Sequence, residues 1–367
     1  MILSSFSAEN YRNIKSAEMS FERGVNLLFG QNAQGKTNVL EGIYTFARGK
    51  SFRAASDADQ VRFGELGFRI GIGFESEGRK RTLSYRYYDG MRRREKNGAS
   101  ITLHEMMGLF RAVLFFPEHL SLAKGGPSER RLFLNIAISQ LDGVYIGALS
   151  AYQKNLENRN SLLKIAQKTG YVDREELSSF SILMARAAAT LYTRRKSYIE
   201  RLSFYARAHA RVMSGGREEL SLFYQSDVEG LLSAGADVCA AYEALFSENL
   251  TKEMAAGTTL YGPHRDDMDI LLRERSLRSF GSQGQQRSAV LALKLAEGDV
   301  SREKSGEYPV FLFDDVLSEL DEDRRGYILS DMGEKQMIMT ACERGGIDPY
   351  VSNVIYVEEG RYDPAHR

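Results

Sequence analysis

Apolar positions along the chain change their period twice. At Phe68, Ile70, Ile72 and Phe74, and again at Leu83, Tyr85 and Tyr87, they alternate with polar or small residues, and the polar stretch Ser76–Lys80 lies between the two sets. That period of two predicts the arms of an antiparallel hairpin. Upstream, Val25–Phe29 is a short apolar strand, followed by a glycine-bearing loop and a helix-competent segment, Asn38–Phe46. From about Glu129 to Ser214 the texture is helical. The stretch from Glu176 to Met213 holds no glycine or proline and predicts one helix of roughly 55 Å, ended by Ser214-Gly215-Gly216. After about Gly257 come two unbroken apolar runs, 308–313 and 336–341, of the kind that form parallel strands buried on both faces. The ends of the chain therefore read as α/β and the middle as a helical insertion, with divisions expected at 1–120, 121–256 and 257–367.

Composition adjusts this picture only slightly. With 367 residues, 43% of them hydrophobic, the chain can bury a sizeable core. Lys plus Arg and Asp plus Glu balance at 49 each, so a polyanion has to be met by a local basic patch rather than by net charge. No apolar run approaches the ~18 residues of a membrane span, and "MILSSFSAEN" lacks the pattern of a signal peptide, so a cytoplasmic location without a membrane partner is expected. Cys239 and Cys342, the only cysteines, are too few and too far apart for a zinc site or a disulfide framework.

The candidate chemistry begins in the loop after Phe29. Gly30-Gln31-Asn32-Ala33-Gln34-Gly35-Lys36-Thr37 fits the G-x-x-x-x-G-K-[ST] phosphate loop at every fixed position. A strand before it and a helix after it make the loop amides and the helix N-terminus converge on a phosphate. Lys36 is then expected to neutralise the β- and γ-phosphates, and the Thr37 hydroxyl to coordinate Mg²⁺. The run 308–313 delivers Asp314 and Asp315 at the carboxyl end of a buried strand, where a doubly wound sheet presents its ligand crevice. Asp314 is the expected Mg²⁺ ligand, and Asp315 is expected to orient or deprotonate an attacking water. A third element is Gly281, Ser282 and Gly284 at the start of a helix that carries Val290, Leu293 and Ala296 on one face. It is a second anion cradle, and one ATP does not need two from the same subunit.

The order of these elements resembles the ABC ATPases, with Ser282-Gln283-Gly284-Gln285 as the signature motif and Ser318–Asp321 as the D-loop. The resemblance implies a P-loop ATPase head of that type with an inserted helical domain. It also implies a dimer in which the signature helix of one subunit caps the γ-phosphate bound to the other, adding Ser282, Gly284, Gln285 and Asp321 to the nucleotide-binding set. Lys36 and Asp314 lie further apart than a compact transporter ATPase needs, and the insertion lacks the sustained heptads of a long coiled coil.

Within that class, nearly the whole chain resembles the RecF family of bacterial DNA replication and repair proteins. The resemblance rests on 9–14 ("ENYRNI"), the phosphate loop, Gly49-Lys50-Ser51 with Arg53, 115–135 ("FFPEHLSLAKGGPSERRLFLN") and Tyr152. It continues through 157–164 ("ENRNSLLK"), 262–267 ("GPHRDD"), 282–287 ("SQGQQR") and 314–321 ("DDVLSELD"). It implies a weak ATPase used as a switch: an ATP-induced homodimer clamps DNA, at single-strand gaps or on duplex, and hydrolysis releases it. The implied partners are RecO and RecR, and through them RecA. The chain departs from the usual pattern at Phe52, where His is common, and at His119 and Asn135, where Asp is usual. The alternative reading is a nucleotide-binding subunit of a membrane ABC transporter. That class usually carries a switch histidine after the 336–341 strand; in this chain Thr340 is the nearest polar group.

A DNA-binding role requires a basic surface. Arg186, Arg194, Arg201 and Arg211 fall within an arc of about 100° along the long helix. Arg92 and Arg93, with Arg94 and Lys96, form a second cluster, expected in a polar loop after the hairpin. No base-reading motif accompanies either, so contacts to the DNA backbone are expected.

Overall fold

The alternating segment forms strands as its period requires. The computed structural model describes residues 1–171, 173–233, 235, 237–317 and 320–364. Near the N-terminus run β1 (Ile2–Tyr11), β2 (Ile14–Ser20), β3 (Val25–Phe29) and helix α1 (Lys36–Arg48). They are followed by β4 (Gly67–Ser76), β5 (Arg79–Tyr88), β6 (Met91–Lys96), β7 (Ala99–Ser100) and β8 (Ala112–Phe115). β4 and β5 pair antiparallel with Ile70 opposite Tyr85 and Ile72 opposite Leu83, so the apolar sets of both arms share one buried face. The sheet order is β2-β1-β4-β5-β6-β7.

The strand pairing corrects one expectation. Arg92, Arg93, Arg94 and Lys96 are not in a loop but in β6, registered against Tyr87, Arg86, Tyr85 and Leu83. Asp89-Gly90 and Asn97-Gly98 sit at φ 45° and 81°, and 49° and 82°, the left-handed pairs that close tight two-residue turns and let the chain fold straight back into the sheet.

The second large sheet collects strands from both ends of the chain. β9 (Leu220–Gln225), β10 (Asp267–Leu272) and β11 (Arg275–Ser276) form a small sheet of their own. Then β12 (Val310–Asp314), β13 (Gln336–Ala341), β14 (Val351–Glu358) and β15 (Arg361–Pro364) join β3 and β8 in the order β15-β14-β3-β13-β12-β8. All pairs in it are parallel except β14 with β15. Every residue of β12 is buried, as expected for an apolar run covered on both faces. α1 packs against β1 and β4 of the antiparallel sheet and against β8, β12 and β13 of the parallel one. Being covered on both sides, it buries Val39, Leu40, Ile43 and Phe46 completely. Its one buried acid, Glu41, is neutralised by a two-pronged ion pair with Arg12 (2.9 and 2.6 Å) and accepts the Ser51 hydroxyl.

The longer helices of the middle are α2 (Pro127–Ser139), α3 (Gly143–Thr169) and α4 (Arg174–Met213), the last 40 residues long. Contacts divide the chain into two compact units: Met1–Leu120 with Ala208–Arg217 and Arg287–Arg367, and Ser121–Arg207 with Glu218–Gln286. The segment from 257 to 286, expected with the C-terminal part of the ATPase lobe, thus groups with the helical unit. The reason is local: β10 pairs antiparallel with β9, and Asp267 at its start holds buried Arg130 of α2 by two bonds of 2.7 Å. In that unit the Arg159 guanidinium, fully buried, is satisfied by Glu253 (2.6 Å), Ser181 (2.9 Å) and Thr259 (2.8 Å). Among the described residues no helix is long and apolar enough to cross a membrane.

Asn135, one of the three departures, takes over the acceptor role of a carboxylate. Its Oδ1 receives the Tyr145 hydroxyl (2.6 Å) and a guanidinium N–H of Arg195 (3.0 Å). His264 lies in the same unit. The Thr259 carbonyl can only accept, so His264 Nε2 donates to it (3.2 Å) and Nδ1 accepts from the Tyr152 hydroxyl (2.6 Å). Burial pushes this imidazole down to about 4. Between pH 6.5 and 4 an unfolded His264 therefore takes up a proton that the folded one refuses, and stability falls as the pH falls, by about 2 kcal/mol at pH 5. Urea midpoints at pH 7 and pH 5 should show a smaller loss for His264→Gln than for the wild type. Equal losses would place the acid sensitivity elsewhere.

Candidate nucleotide site

β3 ends at Phe29 and α1 begins at Lys36, and the phosphate loop spans the gap. Gly30 fits only without a side chain, because a Cβ there would lie 2.2 Å from the Val357 carbonyl oxygen. Gly35 sits at φ 109° as the N-cap of α1 and supplies no side-chain cap. With no side-chain cap, the Lys36 and Thr37 amides at the start of α1 can be satisfied by an anion, while the Asn38 amide is held by the Gly35 carbonyl (3.0 Å). The loop is braced from outside: the Gln34 carbonyl accepts from Asn13 Nδ2 (3.1 Å) and Gly360 N (3.2 Å), and the Tyr362 hydroxyl donates to the Gly35 carbonyl (3.1 Å). Gln31, Asn32 and Ala33 at the crest are exposed. Lys36 is buried, with its ammonium on the loop's own carbonyls, Gly30 (2.6 Å) and Gln31 (2.9 Å). Burial lowers its pKa, against the opposing pull of nearby Cys342, Asp315 and Asp314.

The parallel register brings the acids to the same edge. Asp314 is opposite Thr340, and Ala341 is opposite Phe29. Thr37 Oγ1 donates to Asp314 Oδ1 at 2.9 Å, and Thr340 Oγ1 donates to the same oxygen at 2.9 Å. Burial pushes the Asp314 carboxyl up, while those two hydroxyl donors pull it down. Asp315 follows at φ 53°, a left-handed conformation that costs a non-glycine residue roughly 1–2 kcal/mol, and its N–H is held by Thr340 Oγ1 (2.9 Å). A cavity of about 380 Å³ opens beside these groups, lined by Asn13, Asn32, Ala33, Gly35, Lys36, Thr37, Asn38, Arg53, Asp314, Asp315 and Thr340.

Asn13, Asn38, Arg53 and Thr340 were not among the predicted site residues. Arg53 NH1 reaches Asn38 Oδ1 (3.2 Å), and its backbone N–H is held by the Ser51 hydroxyl (2.9 Å), itself bonded to Glu41. The other two departures fall in one aromatic cluster close by in the chain: the Phe52 ring lies 4.8 Å from Phe116, and Phe116 4.2 Å from His119. Burial holds His119 well below the usual imidazole range, so the cluster is uncharged.

Ser282 is exposed and caps the helix Gln283–Ser305, α5, in a reciprocal pair: its Oγ accepts from Gln285 N (3.3 Å), and Gln285 Oε1 accepts from Ser282 N (2.9 Å). The Ser282 hydroxyl proton is not used by that cap. Val290, Leu293 and Ala296 are fully buried, but so are Leu291, Ala292 and Leu295, so the apolar surface runs around α5 rather than along one face. Asp321 caps the helix Glu322–Ser330, accepting from Arg324 N (2.9 Å). Ser318 and Glu319 of the expected D-loop lie outside the described residues.

The candidate DNA arginines are all exposed. Arg194 is paired with Asp142 (3.1 Å), and Arg201 lies over the rings of Phe204 (5.6 Å) and Tyr205 (5.8 Å). Arg186 belongs to the helical unit with them, and Arg211 to the other unit. In β6, Arg92 is paired with Asp57 (2.6 Å) and Arg93 with Glu95 (2.7 Å).

Residues 2–348 match the family described as RecF/RecN/SMC N terminal domain. The chain is 37% identical over 361 residues to the DNA replication and repair protein RecF of Bacillus velezensis, covering 95% of each. It superposes with a TM-score of 0.90 on the recombination mediator protein RecF-ATP of the RecFOR pathway, at 32% identity over 100% of this chain and 98% of that one. An Smc head domain from Pyrococcus furiosus shares the fold alone, at TM-score 0.59 and 17% identity over 99% of this chain and 96% of that one.

The raised Asp314 carboxyl has a testable consequence. A folded pKa above the unfolded one means that ionised Asp314 lowers stability at all pH values above that folded pKa, and that the loss is relieved on acidification through it. Asp314→Asn should therefore raise the melting temperature of the nucleotide-free protein at pH 7, by about 1–3 °C. A lower melting temperature would mean that the hydroxyl donors outweigh burial at this carboxylate.

Proposed function

The chain belongs to the RecF family of DNA replication and repair proteins, and from that membership we propose that it is an ATP-dependent DNA-binding protein whose ATP-bound dimer clamps DNA. The transporter-subunit alternative is set aside, since the relatives it matches are DNA replication and repair proteins. The observation that supports the reading best is the convergence of Lys36, Thr37, Asp314 and Asp315 on one cavity, in a chain that also carries a glycine-and-serine helix start at Ser282.

In this reading Gly30 to Thr37 wrap the phosphates of ATP, and Lys36 leaves the loop carbonyls for the β- and γ-phosphates. Thr37 and Asp314 are hard oxygen donors already 2.9 Å apart, a pair that fits Mg²⁺ together with phosphate oxygens and water. Bound there, the cation would offset phosphate charge. Asp315 orients the attacking water. Its carboxylate is short for that reach, so turnover is slow and hydrolysis times release rather than driving motion. Ser282, Gly284, Gln285 and Asp321 act on the γ-phosphate held by the second copy. The DNA partner is a gap or duplex, and RecO and RecR act with this protein in loading RecA.

Lys36→Met and Ser282→Arg should each abolish activity alone. Mixed at equal amounts, half of the dimers are heterodimers with one intact site of two, so roughly a quarter of wild-type ATPase should return if the sites act independently. If the mixture and a covalently linked Lys36→Met/Ser282→Arg heterodimer are both dead, while a linked dimer of wild type with Ser282→Arg retains one active half, each site lies within one subunit. Arg186→Glu with Arg201→Glu should lower DNA affinity and flatten its salt dependence by about 0.9 per lost phosphate contact. Arg92→Glu, whose guanidinium already has Asp57, should change it less. An unchanged slope in the double variant would remove the long helix from the DNA contact.

A further inference from the structure

Thr340 stands at the end of β13, between β12 and β3, and is 3% exposed. Its hydroxyl makes two bonds of 2.9 Å whose directions are fixed by chemistry. The Asp315 N–H can only donate, so Thr340 Oγ1 accepts there, and the single hydroxyl proton goes to Asp314 Oδ1. One hydroxyl thus ties together two consecutive acids to which the proposed function gives different tasks.

We propose that Thr340 is a positioning residue of this ATPase, setting both the affinity for the divalent cation through Asp314 and the rate of hydrolysis through Asp315. The inference rests on the proposed ATP and Mg²⁺ site at Lys36, Thr37 and Asp314. For Asp314, the second donor on Oδ1 is Thr37, which the proposed function assigns to the cation as well. Once Thr37 is so engaged, Thr340 is the hydroxyl left to hold the orientation of the carboxylate. For Asp315, the tethered amide fixes a residue at φ 53°, a conformation the backbone leaves readily when nothing holds it. The position therefore requires a hydroxyl on a side chain short enough to stay within the strand register. Serine meets the requirement, and valine, of the same shape, does not.

The test compares Thr340→Val, Thr340→Ala and Thr340→Ser with the wild type. The readouts are the Mg²⁺ midpoint of fluorescent ATP-analogue binding, steady-state ATPase and melting temperature. Loss of a hydrogen bond to a charged group predicts a Mg²⁺ midpoint raised about fivefold or more and a kcat lowered about tenfold for Val and Ala, with the KM for Mg·ATP at saturating Mg²⁺ little changed. Ser should stay within about twofold of wild type in both. If Val does not fold, Ala carries the same prediction without the second methyl. Folded Val or Ala variants that keep the wild-type Mg²⁺ midpoint and kcat overturn the inference, as does a Ser variant as impaired as Val. Lys36→Met separates the two layers: if it binds ATP as the wild type does, the proposed site itself fails and takes this inference with it. If it is dead while Val equals wild type, only the role of Thr340 is lost.

Discussion

The parallel register of β12, β13 and β3 is the constraint on which the candidate site depends. Asp314 opposite Thr340, and Ala341 opposite Phe29, put the carboxyl ends of three strands from opposite ends of the sequence at one level. A strand presents its side chains with a period of two, so a slip of one residue in β12 would turn Asp314 to the other face and remove the acceptor for Thr37 and Thr340. The burial of β12 on both faces protects against such a slip, because its apolar residues are matched to α1 and to the neighbouring strands. The core of this unit thus holds the site in register.

The same dependence explains which parts of the site could be read from the chain. The phosphate loop is contiguous and its fixed positions carry the chemistry, so it is legible in any context. Asp314 and Asp315 are legible because an unbroken apolar run points at them. Thr340 reaches the cavity only through strand register and Arg53 only through the Ser51–Glu41 bond, and nothing in their local sequence announces that. The capping of α5 by Ser282 and Gln285 was legible, since Ser followed three residues later by Gln is a known helix start. It gives Ser282 a local structural task alongside the proposed one.

The misplaced features have equally local causes. Asp-Gly and Asn-Gly dipeptides at 89–90 and 97–98 are strong hairpin signals, but the charge density of 92–96 has the texture of a solvated loop and masks them. Once in a strand, Arg92 and Arg93 find Asp57 and Glu95, which weakens their standing as free phosphate contacts. The boundary expected at 257 failed because composition cannot reveal that β10 pairs with β9 across more than forty residues of chain, or that Asp267 is committed to Arg130. By contrast, the long helix followed directly from a stretch without glycine or proline, and the β4–β5 hairpin from its uninterrupted period of two.

In the proposed function, nucleotide bound at the Lys36 site joins two copies of the chain. Native mass measurement of the Asp315→Asn variant in Mg²⁺ and ATP tests it most directly, because that carboxamide keeps the size of the side chain while removing the proposed water-orienting charge. The expected result is a dimer carrying two ATP molecules that persists after free nucleotide is removed, and a monomer when ATP is omitted. A monomer saturated with one ATP and showing no dimer at any protein concentration would contradict it.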